Sequence, residues 1–213
     1  SNSMKTHSKL IQWITTHKAP ALFIALLLGI GVCKAAELLA PAKEIALIIG
    51  EPWTNMQVRS TAEIGPVFEG RHWYREPKQI SFLRFADSNY QFTTPPAKFF
   101  TIGFDSNGNI DGVRMSPQVE PLPLQETLNI VLNLQEQWRK TGWELDDAEE
   151  NPPYEDNVEW RKAIEQCTAY STYWHVKGLY SIAIAIGCFK DYRHPEEKRY
   201  LITMSMGKYI DYQ

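Results

Sequence analysis

The longest alternating stretch of the chain is Tyr180-Ser-Ile-Ala-Ile-Ala-Ile186, where Ile exchanges places with Ser or Ala at every step. Successive side chains of a strand point to opposite faces. The spacing therefore predicts a central strand over 179–189, with Ile on one face and the small side chains packing under a helix. The same period predicts strands at 80–85, 98–104, 110–115, 171–176 and 199–206. Asp105-Ser-Asn-Gly-Asn109 separates two of them and predicts a tight hairpin in which Asn107 and Gly108 both take positive φ. The period changes over 123–140, where Leu124, Leu128, Val131, Leu132 and Trp138 fall on one stripe of a helix. Pro123 suits its first turn and Gly142 its stop. A second helix is predicted from Asn157 to about Ala169. Residues 35–50 are helix-compatible apart from Pro41, and 51–79 read as an irregular wrap with one short strand. Strands, two helices and strands again predict an α+β domain, an antiparallel sheet packed by two main helices.

The N-terminus has a different character. Ser1 to Ser3 read as an expression scar ahead of an initiator Met4, and Lys5, Lys9 and Lys18 form a basic region. Ala21 to Cys33 then runs for thirteen residues without a charge, the length of a signal-peptide core rather than of a spanning helix. Cys33-Lys34-Ala35 is a poor cleavage site because of its central Lys. Ile30-Gly-Val-Cys33 is a poor lipobox because Val32 stands where a small residue is wanted. The expectation is an uncleaved or partly cleaved signal anchor over 1–36, followed by one exported domain over 37–213. The alternative is a buried helix of a soluble protein. Export implies a periplasmic location, with the N-terminal segment held in the inner membrane.

Export changes the charge picture. The whole chain of 213 residues carries a net −3, which offers nucleic acid no basic footprint. The four lysines before Ala35 are matched by no acid, so the remainder holds 18 basic against 25 acidic side chains, a net −7. Export also places Cys167 and Cys188 in an oxidising compartment, where two cysteines in one domain are expected to form a disulfide.

Candidate chemistry is sparse. Asp105 to Asp111 imitates the start of a calcium loop, but Ile110 and Ser116 stand where Gly and Glu are required, and a hairpin turn explains the same residues. Ser205-Met-Gly-Lys208 has the Ser-x-x-Lys spacing but ends a strand, where residues three apart point to opposite faces. His72, His175 and His194 are isolated in sequence from metal-ligating neighbours. No cofactor, metal or catalytic residue is expected. Glu144 to Glu159 holds eight acids and no base around Pro152-Pro153-Tyr154. It reads either as a solvated linker or as an acidic docking surface for a basic partner. In the second case Asp146, Asp147, Glu149 and Glu150 steer, and Tyr154 with Trp143 or Trp160 anchors. Arg71-His-Trp73-Tyr74-Arg75, with Trp53 and Arg59, is either a second contact patch or a cover for a sheet face.

Arg59-Ser-Thr-Ala-Glu-Ile-Gly65, Arg84-Phe85, Thr94-Pro95 and Arg114-Met-Ser-Pro-Gln118 look like a signature of fixed polar positions. As a small acidic α+β domain behind an N-terminal anchor, the chain resembles the periplasmic immunity proteins that accompany type VI secretion effectors. The resemblance is architectural and carries no functional residue over. It implies a non-catalytic binding protein whose partner is a secreted toxin or effector. The alternatives are a structural or assembly factor of the envelope and, third, a hydrolase acting on envelope substrates.

Overall fold

The computed structural model describes residues 22, 24–32 and 40–211. The chain divides into two units, Ser1–Pro41 and Ala42–Gln213, where the sequence placed the boundary at 36/37. In the first unit residues 22 and 24–32 are helical, and the rest of the expected anchor over 1–36 lies outside the described residues. Among the described residues no helix is long and apolar enough to cross a membrane.

The second unit is α+β, with two sheets sharing one core. The smaller sheet has the order β1-β3-β4, formed by Lys43–Leu47, Ser81–Phe85 and Phe92–Thr93. The larger has the order β2-β5-β6-β10-β9-β8-β7, all antiparallel. Its strands are β2 (Trp73–Arg75), β5 (Phe100–Phe104), β6 (Ile110–Met115), β7 (Glu144–Leu145), β8 (Thr172–Val176), β9 (Tyr180–Phe189) and β10 (Arg199–Lys208). Among the described residues of this unit three helices accompany them: α1 (Trp53–Arg59), α2 (Leu124–Lys140) and α3 (Val158–Glu165).

One segment expected to be helical is a strand. Ile45, Ala46 and Leu47 of β1 are fully buried, and β1 pairs with β3 in parallel. A parallel strand buried on both faces shows no alternation, so its apolar run is indistinguishable from a core helix by period alone. The outer edge of β1 is closed by the segment 59–62 rather than by another strand, with the Thr61 and Ala62 N–H groups donating to the Glu44 carbonyl. Ser60 Oγ accepts from the Ala46 N–H at 2.9 Å and Thr61 Oγ1 from that of Glu44 at 2.8 Å. Arg59 pairs with Glu51 at 2.8 Å and also reaches the Ala46 carbonyl. Thr94 likewise bonds both backbone groups of Leu83. Several polar positions of the apparent signature thus complete backbone hydrogen bonds, which a sheet edge must do somehow.

The α2 stripe is as expected on Leu128, Val131 and Trp138, but Leu134 and the amide of Gln135 take inner positions while Leu124 and Leu132 are half-buried. Pro123 is the N-cap of α2 rather than its first residue. At the other end the Trp143 N–H donates to the Trp138 carbonyl and the Gly142 N–H to that of Arg139, a Schellman closure with Gly142 at φ +87°. α3 is shorter than predicted. Asn157 caps it by accepting from the Trp160 N–H at 2.8 Å, and it stops at Gln166 because Cys167 adopts φ +60°. The β5–β6 hairpin also differs: Gly108 has φ +76°, whereas Asn107 does not take positive φ. Asp105 Oδ1 instead accepts the N–H groups of Asn107 and Asn109, and the Gly108 N–H bonds the Asp105 carbonyl, which makes a three-residue turn.

Three glutamines act as substitute backbone. Gln135 donates to the Tyr154 carbonyl and accepts its N–H, at 2.8 and 3.0 Å. Gln137 does the same for Thr93. Gln118 accepts the Ile202 N–H and donates to the Tyr200 carbonyl. Gln135 and Gln118 thereby satisfy buried backbone groups of Tyr154 and Ile202, while the Gln137 bonds are exposed.

Candidate functional site

β9 is an interior strand, one place from the middle of the larger sheet, and its two faces settle where a site can lie. Ile182, Ile184 and Ile186 face the core with Ile202, Met204 and Met206 of β10. The helices cover that face: Trp138 of α2 meets Trp174 of β8 at 5.6 Å. The small side chains therefore do not pack under a helix as expected; they lie on the other face. Strand registers align Tyr74, Gly103, Gly112, Gly207, Ser181, His175 and Glu144 in one row across all seven strands. A Cβ on Gly112 would lie 2.9 Å from the Met206 carbonyl oxygen, and one on Gly103 would lie 3.2 Å from the Tyr74 ring. The Tyr74 ring thus covers Gly103, whereas around Ser181, Ala183, Ser205 and Gly207 the small side chains leave a shallow trough.

At the β7 end the trough opens into a groove of about 810 Å³. Glu144, Asp146, Asp147 and Asp211 contribute carboxylates to its lining, against a single Lys177. Tyr173, His175 and Tyr209 supply rings. The alternation that buries Trp174 and Val176 of β8 turns Tyr173 and His175 the other way. The Asp146 N–H bonds the Tyr173 carbonyl at 2.8 Å, fixing the chain just after β7. Asp147 follows at φ +51°, a conformation that Asp and Asn tolerate better than other side chains. The His175 ring meets Tyr209 edge-on at 5.6 Å. Its Nδ1 is buried without a hydrogen bond, 3.8 Å from Asp146 Oδ2. Burial, then the Asp211 and Asp146 carboxylates, push the Tyr209 hydroxyl above its ordinary range, so it stays a neutral donor. An acidic groove with aromatic walls is suited to a cationic side chain.

The sequence candidates divide sharply. Asp146 and Asp147 line the groove, while Glu149 and Glu150 are exposed beside it. Tyr154 cannot anchor a partner, because it is 1% exposed. Its ring stacks on Trp160 at 4.3 Å, and its hydroxyl donates to the Tyr170 carbonyl and accepts the Ile186 N–H. Burial pushes that hydroxyl up to about 12. Trp143 is buried as well, and Trp160 nearly so. Tyr173, His175 and Tyr209 were not singled out as partner contacts; strand parity was the signal for the first two.

The other patch lies at the opposite edge. Trp73 on β2 has the Arg71 and Arg75 guanidinium carbons 4.7 and 5.0 Å from its ring centroid and the Phe68 ring at 5.1 Å. It is a platform for two arginines rather than a free anchor. Tyr74 is 71% exposed, and Arg75 also donates to the Pro66 carbonyl. Arg59 and Trp53 do not join this cluster: Arg59 serves β1, and Trp53 packs by Gly108. Five strands separate β2 from β7, roughly 29 Å at about 4.8 Å per step. The two candidate patches are thus two sites, not one.

Cys167 and Cys188 form a disulfide between the end of α3 and the end of β9, with Cα atoms 5.5 Å apart. Among the described residues no group of His, Cys, Asp and Glu is arranged to hold a metal. Asp191, 4% exposed, organises the β9–β10 loop. It accepts from His194 Nδ1 at 3.1 Å and from the Arg193 N–H at 3.0 Å. The His194 bond first, then the Arg193 N–H, draw its carboxyl down to about 2. A carboxyl lowered on folding contributes stability above its unfolded pKa near 4, lost as pH falls through the folded value. The Arg193 amide should therefore stay protected to about pH 3 and open near pH 2, and Asp191→Ala, which removes the acceptor, should open it at neutral pH. Amide exchange against pH measures this. No protein-family model, curated protein or solved structure matches the chain.

Proposed function

We propose that this protein is a non-catalytic binding protein of the cell envelope that neutralises a basic protein partner, as periplasmic immunity proteins neutralise toxins. The groove beside β7 carries the reading: four lining carboxylates meet one lysine there, next to a sheet face that the small residues Ser181, Ala183, Ser205 and Gly207 leave low. A basic loop entering it gains charge-assisted contacts to Glu144, Asp146 and Asp147, while Tyr173 and Tyr209 flank its aliphatic stem. Glu149 and Glu150 add long-range attraction, which acts on encounter rate. On this reading the uncharged run Ala21–Cys33 directs export and holds the protein at the inner membrane, facing the periplasm. The disulfide supports that side of the membrane, since such bonds persist in oxidising compartments and are rare in the cytosol.

The test is protection. A secreted, basic toxin encoded beside this gene should kill cells when directed to the periplasm. Co-expression of the full chain should restore growth, and a version retained in the cytoplasm should not. Equal protection by the retained version would contradict the envelope location, and no protection by either would contradict neutralisation.

A further inference from the structure

The bridge between α3 and β9 has a second property besides linking them. Both cysteines are exposed, although the elements they end are packed through Ile164 and Ile186. Cys167 occupies the position after the cap of α3 where a helix usually places Gly. Its N–H donates to the Ile164 carbonyl at 3.1 Å and the Thr168 N–H to that of Ala163 at 2.9 Å, a Schellman closure at φ +60°. An L-residue other than Gly is disfavoured in that conformation, and Cys has no short polar oxygen to compensate as Asn or Asp does. The bond to Cys188 therefore holds a turn that the local sequence does not favour. Exposed bridges are the ones that thiols reach without unfolding of the protein.

We propose that Cys167–Cys188 is a native-state exchange site for dithiols, and that its reduction releases the last turn of α3 while the sheet stays folded. The thiolate of a dithiol attacks one Sγ, the Sγ–Sγ bond breaks, and its electron pair leaves on the other sulfur, which takes up a proton. The second thiol of the reductant then attacks the mixed disulfide. The reductant closes its own disulfide, and the freed cysteine is protonated. Two electrons and two protons pass to the bridge; the dithiol is oxidised and the two cysteines are reduced. The periplasmic class of partner implied is a thiol–disulfide oxidoreductase. The inference is independent of what binds the groove.

The probe is dithiothreitol acting on the full chain with Cys33→Ser, so that Cys33 does not compete. At about 1 mM reductant, reduction should proceed without denaturant, at a rate changing by less than about twofold in dilute urea, because no global opening is needed. Amides of Gln166, Cys167 and Thr168 should then exchange about tenfold faster, and those of 182–186 about as before. Two further variants separate turn geometry from the bond itself. With Cys188→Ser, Cys167→Gly should keep α3-end protection, whereas Cys167→Ala should lose it by about five- to tenfold. Reduction that tracks global unfolding in urea would overturn the proposal. So would equal protection in the Gly and Ala variants.

Discussion

Replacing Gln135 by Leu is expected to destabilise the α+β domain by about 3 kcal/mol, although the new side chain is apolar and of similar size. The Gln135 amide is fully buried and closes both backbone groups of Tyr154. Leu supplies neither donor nor acceptor, so a buried N–H and a buried carbonyl each lose their partner, at about 1–3 kcal/mol apiece. For a domain of this size that lowers Tm by roughly 8 °C. Tyr154→Phe should cost about 2 kcal/mol by a related route, since the Ile186 N–H at the end of β9 loses its acceptor. The two effects should be non-additive, because both residues serve one network. Urea unfolding of the two single variants and the double variant measures this. Neither change should alter partner association, which separates the core role of Tyr154 from the anchoring role that its neighbours in sequence suggested.

Neutralising the groove should have the opposite profile. Asp146→Asn with Asp147→Asn removes two lining carboxylates and leaves the fold intact, since Asn accepts the φ +51° of position 147. Binding of the basic partner should weaken by about 2 kcal/mol, roughly thirtyfold in Kd, mainly through faster dissociation. Glu149→Gln with Glu150→Gln should slow association by about two- to threefold at low salt and have no effect at high salt, as exposed charges are screened. Surface-bound kinetics at two ionic strengths distinguishes the pairs. Similar results for both pairs would make the segment a uniformly solvated acidic run.

How much of this could be read from the residues depends on how local the cause is. Alternation fixed by the two-residue period located β3, β5, β6, β8, β9 and β10 to within a few positions, because half-buried strands write their environment into the pattern. The helix stripe of α2 and the stop at Gly142 were legible for the same reason. β1 was not, since burial on both faces erases the alternation, and the two-residue strands β4 and β7 are too short to carry any period. The missing information at the site was long-range. Which face of β9 meets the helices depends on packing across the sheet, and Ile outcompetes Ala there because its burial yields more apolar area. Placing the small residues outward is what creates the trough. Likewise Glu144 to Glu159 looks like one acidic run, yet its residues have separate roles. Asp146 and Asp147 line a groove, Tyr154 enters the core, and Asp156 pairs with Arg161 at 2.6 Å.

Site-specific photo-crosslinking in the envelope addresses the groove directly. A photoreactive phenylalanine in place of Tyr173 sits in the groove, whereas one in place of Val119 is exposed beside the Gln118–Tyr200 contact, at the far end of β10. The groove reading predicts an adduct between position 173 and one basic exported protein, none from position 119, and loss of the adduct when Asp146 and Asp147 become Asn. An adduct formed equally from both positions, or one from position 173 that survives neutralisation of the two aspartates, would contradict it.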